Sequence, residues 1–313
     1  MSGNAASILF ALVKVTKTYG AITALDELSV CVPPGAIGLL GPNGSGKTTM
    51  IRTLLGLIPI NGGSARVLDM DVHRRQLDIR RLIGFVPEDE CLFPGVAGVE
   101  FVAYAGELVG MPSRDAMQRA HEVLDYVGLT EVRYRQVESY SAGMKQRLKL
   151  AAAIIHDPKL LILDEPTNGM DPAGRKDMLA LAHDLAHHKN MSVLFSSHLL
   201  PDVETVCDHI IVLGAGQLLV QGNIRELKAV HPGSFEVRIK EDGTSFSRQL
   251  TDLGCAVQRR GDMLLIQIPP GSSPAMLWQA AAVHQQQIRH LRPQRSTLEE
   301  VFLNAVERTS CRL

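Results

Sequence analysis

The stretch Gly41-Pro42-Asn43-Gly44-Ser45-Gly46-Lys47-Thr48 matches G-x-x-x-x-G-K-[ST] at every fixed position. It follows the short apolar run Ala36–Leu40 and leads into Lys47–Leu57, whose pattern predicts a helix. A strand, a glycine-rich loop and a helix in that order let backbone N–H groups turn toward a phosphate, and the positive end of the helix adds to them. In this reading Lys47 reaches the outer phosphates of a nucleotide. Thr48 offers a hydroxyl to Mg²⁺, a cation that keeps most of its water and needs few protein oxygens. Thr49 extends the cradle into the helix. The plain alternative is a glycine-rich turn that binds nothing, and the correct flanks argue against it.

Working outward, Leu160-Leu161-Ile162-Leu163-Asp164-Glu165 is a buried-strand pattern with two carboxylates at its C-terminal end. Ligand sites in open α/β sheets collect at that end. Asp164 is expected to hold Mg²⁺ directly or through water, and Glu165 to orient and deprotonate an attacking water. Alone, two acids at a strand end would be an ordinary solvated surface. Beside a phosphate loop they are a candidate hydrolytic pair.

Tyr140-Ser141-Ala142-Gly143-Met144, followed by Lys145-Gln146-Arg147, begins 24 residues before Asp164. This string resembles the LSGGQ signature of ABC-type ATPases. The resemblance extends to Thr167-Asn168-Gly169-Met170-Asp171 (the D-loop), to His198 after Phe195-Ser196-Ser197 (the switch histidine) and to Tyr19 (the aromatic that stacks on adenine). It covers about residues 8–229, with every motif in order and each present once. It implies a P-loop ABC ATPase domain: a RecA-like core, an antiparallel β subdomain and a helical subdomain at about 89–157. It implies ATP and Mg²⁺ as ligands, with Glu165, His198 and Lys47 catalytic and Thr48, Asp164 and Glu88 toward the metal. Tyr19, Gly41 to Thr49 and Asp171 join the nucleotide site. Ser141 and Gly143 would meet the ATP of a second subunit, so two chains form two composite sites, and a homodimer suffices.

Two positions depart from the family pattern. Glu88 stands where the Q-loop glutamine is expected. A carboxylate can still ligate Mg²⁺ or its waters, but it cannot donate as an amide does. Ala142 replaces a signature glycine, so its backbone must be ordinary helix or extended chain. Taken alone, His198 and Tyr19 would more often be packing residues. The order of the motifs carries their roles.

The 313 residues allow about two domains. A composition shift near His231-Pro232-Gly233, followed by the alternating Phe235, Val237, Ile239 and Leu264, Ile266, Ile268, predicts a small α+β domain over 230–313 after an ATPase domain over 1–229. Trp278 and Phe302 are expected in its core, and Ser296-Thr297-Leu298-Glu299 reads as a capping box. The fold class is therefore α/β with an α+β tail. With 32 basic and 33 acidic residues the net charge is −1, which gives no general attraction to nucleic acid. The Arg74-Arg75, Arg80-Arg81 and Arg259-Arg260 pairs read as solvated surface. The five scattered cysteines, without a CxxC, are expected as small buried residues in a reducing compartment. No apolar run approaches the roughly 18–20 residues of a spanning helix, and no signal peptide is visible. The resemblance then implies a peripheral protein at the cytoplasmic face of the membrane, driving a separately encoded permease. A tail of this kind leans toward export, with residues 88–127 as the docking surface. A soluble ABC ATPase working on ribosomes or DNA is the rival reading, and a non-hydrolytic regulatory module another.

Overall fold

The computed structural model describes residues 8–189, 191–228, 230–240, 244–283, 286–295 and 298–300. The chain divides into two compact units, and the second begins at Arg225. The first opens with the hairpin β1 (Phe10–Tyr19) and β2 (Ile22–Val32). Then β3 (Ala36–Leu40) leads to α1 (Lys47–Leu54), and β4 (Gly62–Val67), β5 (Met70–Asp71), α2 (Gln76–Arg80) and β6 (Ile83–Val86) follow. An all-helical stretch comes next, with α3 (Gly98–Leu108), α4 (Ser113–Tyr126) and α5 (Ala142–Ile154). Strands and helices then alternate through β7 (Leu160–Asp164), α6 (Pro172–His188), β8 (Ser192–Ser196) and α7 (Leu200–Val206). The hairpin β9 (His209–Gly214) and β10 (Gln217–Asn223) closes the sheet edge.

The main sheet runs β10-β9-β3-β8-β7-β6, parallel except for β10. Its strands β3, β7 and β8 are buried at every position, as continuous apolar runs covered on both faces should be. Leu161, Ile162 and Leu163 are wholly buried, and each contributes roughly 1.5–3 kcal/mol to holding the strand that ends at Asp164. The second sheet, β2-β1-β4-β5, is antiparallel. One continuous core joins the two sheets through Leu12, Val30, Ile37, Ile51, Ile162 and Leu213.

Three expectations need correction. The first helix ends at Leu54 and not at Leu57, because Gly56 takes a left-handed turn (φ +63°) and the chain leaves the axis. Cys31 and Cys91 are exposed. Cys31 lies on the outer face of β2 between the buried Val30 and Val32, and Cys91 lies in the loop after β6. Cys207 and Cys255 are buried as expected, and Cys311 lies outside the described residues.

The second unit carries α8 (Ile224–Leu227) at its junction, then β11 (Val230–Ile239), α9 (Thr244–Asp252), β12 (Ala256–Arg260), β13 (Met263–Gln267), α10 (Ala275–Val283) and β14 (Ile288–Arg295). Its antiparallel sheet has the order β12-β13-β11-β14. Val237, Phe246, Leu250, Ile266 and Leu277 form its core. Trp278 is 53% exposed, contrary to expectation. The helix turns about 100° per residue, so facing Leu277, Ala280 and Ala281 inward carries Trp278 out. Phe302 and the capping residues Ser296 and Thr297 lie outside the described residues.

Candidate active site

The parallel order β3-β8-β7-β6 sets four loops side by side at the carboxyl ends of neighbouring strands. After β3 comes the glycine-rich loop, and after β8 comes His198. Asp164 ends β7 and Glu165 follows it, and Glu88 follows β6. Together they line a cleft of about 770 Å³. Asn43 to Thr49 form its floor, Tyr19 with Ile22 to Ala24 one wall, and Glu88, Asp164, Glu165, Asn168 and His198 the other.

Gly46 caps α1 with φ +102°, a conformation glycine takes at little cost. A Cβ there would sit 2.6 Å from the Ala24 carbonyl oxygen, so the hairpin β1–β2 presses the loop into shape. Lys47 is buried, and its Nζ donates to the carbonyls of Gly41 (2.7 Å) and Pro42 (3.4 Å). Gly41 and Pro42 thus hold the lysine and do not themselves line the cleft. Ser45 Oγ is buried without a hydrogen-bond partner. A buried hydroxyl left over in a loop of backbone donors at a helix N-terminus fits a phosphate-bearing ligand.

Opposite the loop, Thr48 Oγ1 stands 3.5 Å from Asp164 Oδ2. Burial holds the Asp164 carboxyl above the ordinary carboxylate range, and the charges of Glu88 and Glu165 push the same way. Among the described residues no group of three His, Cys, Asp or Glu could hold a metal by itself. Two oxygens from Thr48 and Asp164 suit Mg²⁺, which brings water and substrate oxygens for its remaining positions. Glu165 is buried with φ +48°, a left-handed backbone unusual for a residue with a side chain. Its Oε2 meets His198 Nδ1 at 2.9 Å. Glu88 Oε1 accepts from Asn168 Nδ2 at 3.3 Å. A buried carboxylate bonded to an imidazole at the edge of an anion cradle can take a proton from water.

Ser141, Gly143 and Asp171 do not line this cleft. Ser141 caps α5, its Oγ accepting from the Met144 N–H at 3.3 Å, and Ala142 is the first helical residue, as its side chain demands. Asp171 caps α6 by accepting from the Gly174 N–H at 3.2 Å. Tyr19 stands at the cleft rim with Lys17 Nζ 4.8 Å from its ring centroid. Asn168 was missed by sequence reasoning as a cleft residue, although it lies inside the D-loop string. A second omission is the buried Asp202, which accepts from Thr167 Oγ1 (2.8 Å) and from both Arg175 Nε (2.8 Å) and Nη2 (2.5 Å). Nothing in local spacing marks it, because its partners Thr167 and Arg175 lie 35 and 27 residues earlier.

Residues 25–168 match the family described as "ABC transporter", and residues 222–306 match "ATP-binding protein DrrA1-3-like, C-terminal domain". The chain is 32% identical over 300 residues to the uncharacterized ABC transporter ATP-binding protein YxlF of Bacillus subtilis, covering 95% of this chain and 99% of the relative. It is also 32% identical to the linearmycin resistance ATP-binding protein LnrL of Bacillus subtilis, over 94% of this chain and 97% of that protein. The solved structure of cbiO1 from Clostridium perfringens, part of the ABC transporter complex cbiONQ, shares the fold at TM-score 0.64 and 24% identity, over 71% of this chain and 90% of that one. With the phosphate loop, Asp164, Glu165 and His198 gathered in one cleft, these matches place the chain in the family of ABC transporter ATP-binding proteins, a family of ATPases.

Proposed function

We propose that this chain hydrolyses ATP at the cleft between the β3–α1 loop and the ends of β6, β7 and β8, and that a separately encoded membrane permease uses the work. The observation that carries the reading is the pairing of buried Glu165 with His198 at 2.9 Å across from the Lys47 loop. Gly41 and Pro42 hold Lys47 for the outer phosphates, and Asn43 to Thr49 surround them. Glu165 takes the proton of the attacking water, and His198 fixes the carboxylate that does so. Tyr19 stacks on the base. Thr48 and Asp164, with Glu88 nearby, would hold Mg²⁺, and the ion would supply neutralisation of phosphate charge when bound.

Ser141, Gly143 and Asp171 complete the site of a second copy, so the working form is a dimer with two composite sites. Ser141 supports this: its oxygen already accepts from its own helix, while its hydroxyl proton stays free for an anion. Permease docking is assigned to 88–127, where Phe93, Tyr104 and Leu108 stand exposed and Phe93 stacks edge-on against Phe101 and Tyr104. Among the described residues no helix is long and apolar enough to cross a membrane. Attachment at the cytoplasmic face is assigned to the permease. Export is favoured by the linearmycin resistance role of the relative LnrL and by the DrrA-like C-terminal domain. The ATPase domain is assigned to 1–229 and the accessory domain to 230–313.

The test mixes two inactive variants, K47A and S141R, and follows phosphate release. Composite sites leave one intact site in each mixed dimer, and activity returns. Sites complete within one chain stay dead on mixing, and that result overturns the dimer.

A further inference from the structure

Lys149 lies in the middle of α5 and is 6% exposed, in a position where a charge is costly unless satisfied. Its ammonium carries three N–H donors, and three backbone carbonyls meet them. Nζ donates to Pro87 O at 2.7 Å, to Asp89 O at 2.8 Å and to Glu88 O at 3.4 Å. These are successive residues of the loop that leaves β6 and presents Glu88 to the cleft. One turn earlier on the same face of α5, Lys145 pairs with Glu90 in that loop. The helix that grips the loop is the helix capped by Ser141.

The geometry points to Lys149 as a positioning residue that clamps the Glu88 loop to the signature helix. The inference rests on the proposed role of Glu88 in the nucleotide site. A backbone carbonyl does not depend on the side chain it belongs to, so the clamp fixes the path of the loop and not one rotamer. Glu88 is then held from two sides: its main chain by Lys149 of α5, and its side chain by Asn168 of the segment after β7. A displacement of α5 at its Ser141 end is carried to the loop 87–90 through two lysines on one helical face. Glu88 faces the chain's own nucleotide, whereas Ser141 is assigned to the partner's. The clamp therefore links the two composite sites through 87–90 of each chain.

The test replaces Lys149 by methionine, which keeps the stem and removes the three donors. Each carbonyl left without its donor makes the loop easier to open, so amide hydrogen–deuterium exchange across 88–91 rises about tenfold or more in the nucleotide-free chain. Turnover of Mg-ATP falls about tenfold while KM for ATP stays within about twofold, the pattern of a lost alignment. K149Q, an amide with fewer donors, gives an intermediate effect and serves if the methionine variant does not fold. Unchanged exchange in 88–91, or a rise spread evenly over the chain, overturns the clamp. Loosening of the loop with wild-type turnover overturns the positioning role. E88A is measured beside it: if E88A itself keeps full turnover, the reading of Glu88 is what fails, and the exchange result still decides the clamp.

Discussion

Replacing Glu165 by glutamine removes a proton acceptor and almost nothing else. Gln has the same length and can still meet His198 Nδ1, now 2.9 Å from Glu165 Oε2. The left-handed backbone at Glu165 (φ +48°) costs about 1–2 kcal/mol with either side chain, so it cancels in the comparison. What remains is the loss of a general base, about 10²–10⁴-fold in turnover, which corresponds to about 2.7–5.5 kcal/mol of barrier. His198→Ala removes one hydrogen bond to a charged acceptor, worth about 1.5–3 kcal/mol, and should slow turnover about 10–100-fold. If His198 acts only by fixing Glu165, the double variant is no slower than E165Q alone by more than about threefold, because nothing is left to fix. Phosphate release under saturating Mg-ATP measures all three, and nucleotide titration shows whether binding persists. E165Q turnover within tenfold of wild type refutes Glu165 as the base. Single costs that multiply in the double variant refute His198 as its support and make the imidazole an independent contributor.

Three further substitutions probe the frame around that pair. Asp202→Ala leaves Thr167 and the Arg175 guanidinium without their acceptor; Arg175 keeps 35% exposure, so urea unfolding should show a loss of about 2 kcal/mol, short of the 3–5 of a fully buried pair. Gly46→Ala forces a Cβ into a φ of +102° and against the Ala24 carbonyl, so at least about 1–2 kcal/mol of stability is lost, with ATP affinity falling alongside; unchanged melting and unchanged affinity would contradict the packing of loop against hairpin. Ser141→Asp keeps a good helix cap but sets an anion where the partner's phosphate is assigned. Stability should hold within about 0.5 kcal/mol, while ATP-dependent dimers disappear from size-exclusion chromatography, and dimers that survive would argue against that assignment.

How much of this was legible beforehand follows from how far apart the partners lie in the chain. The phosphate loop is local: Gly46, Lys47 and Thr48 act through their own backbone and the helix they start, so fixed spacing reveals them. Strand β7 is legible for the same reason, since burial on both faces writes an unbroken apolar run. The Glu88–Asn168 contact spans 80 residues, and it forms only because β6 pairs with β7 and not with β3. No period in the sequence encodes that pairing. Lys149 was invisible for a sharper reason. Among apolar neighbours on a helix a lysine reads as a surface position, and only the loop it meets, 60–62 residues earlier, turns it inward. Trp278 erred in the other direction: size suggested burial, but helical phase decides which side faces the sheet.

Those long-range contacts share a direction. His198 reaches Glu165, Asn168 reaches Glu88, and Thr167 with Arg175 reaches Asp202, so the segment 165–175 is tied by polar atoms to two neighbouring loops and to α7. Packed apolar strands beneath it, buried at every position, leave those loops little freedom to shift independently. A change at Glu165, the proposed base, is therefore connected to Glu88 through the segment that carries both Glu165 and Asn168. Glu88 is in turn gripped by α5 through Lys149. These hydrogen bonds link the proposed base to the surface proposed for the permease, and each can be removed by one substitution without touching the phosphate loop, so double-substitution cycles measure how strongly they are coupled.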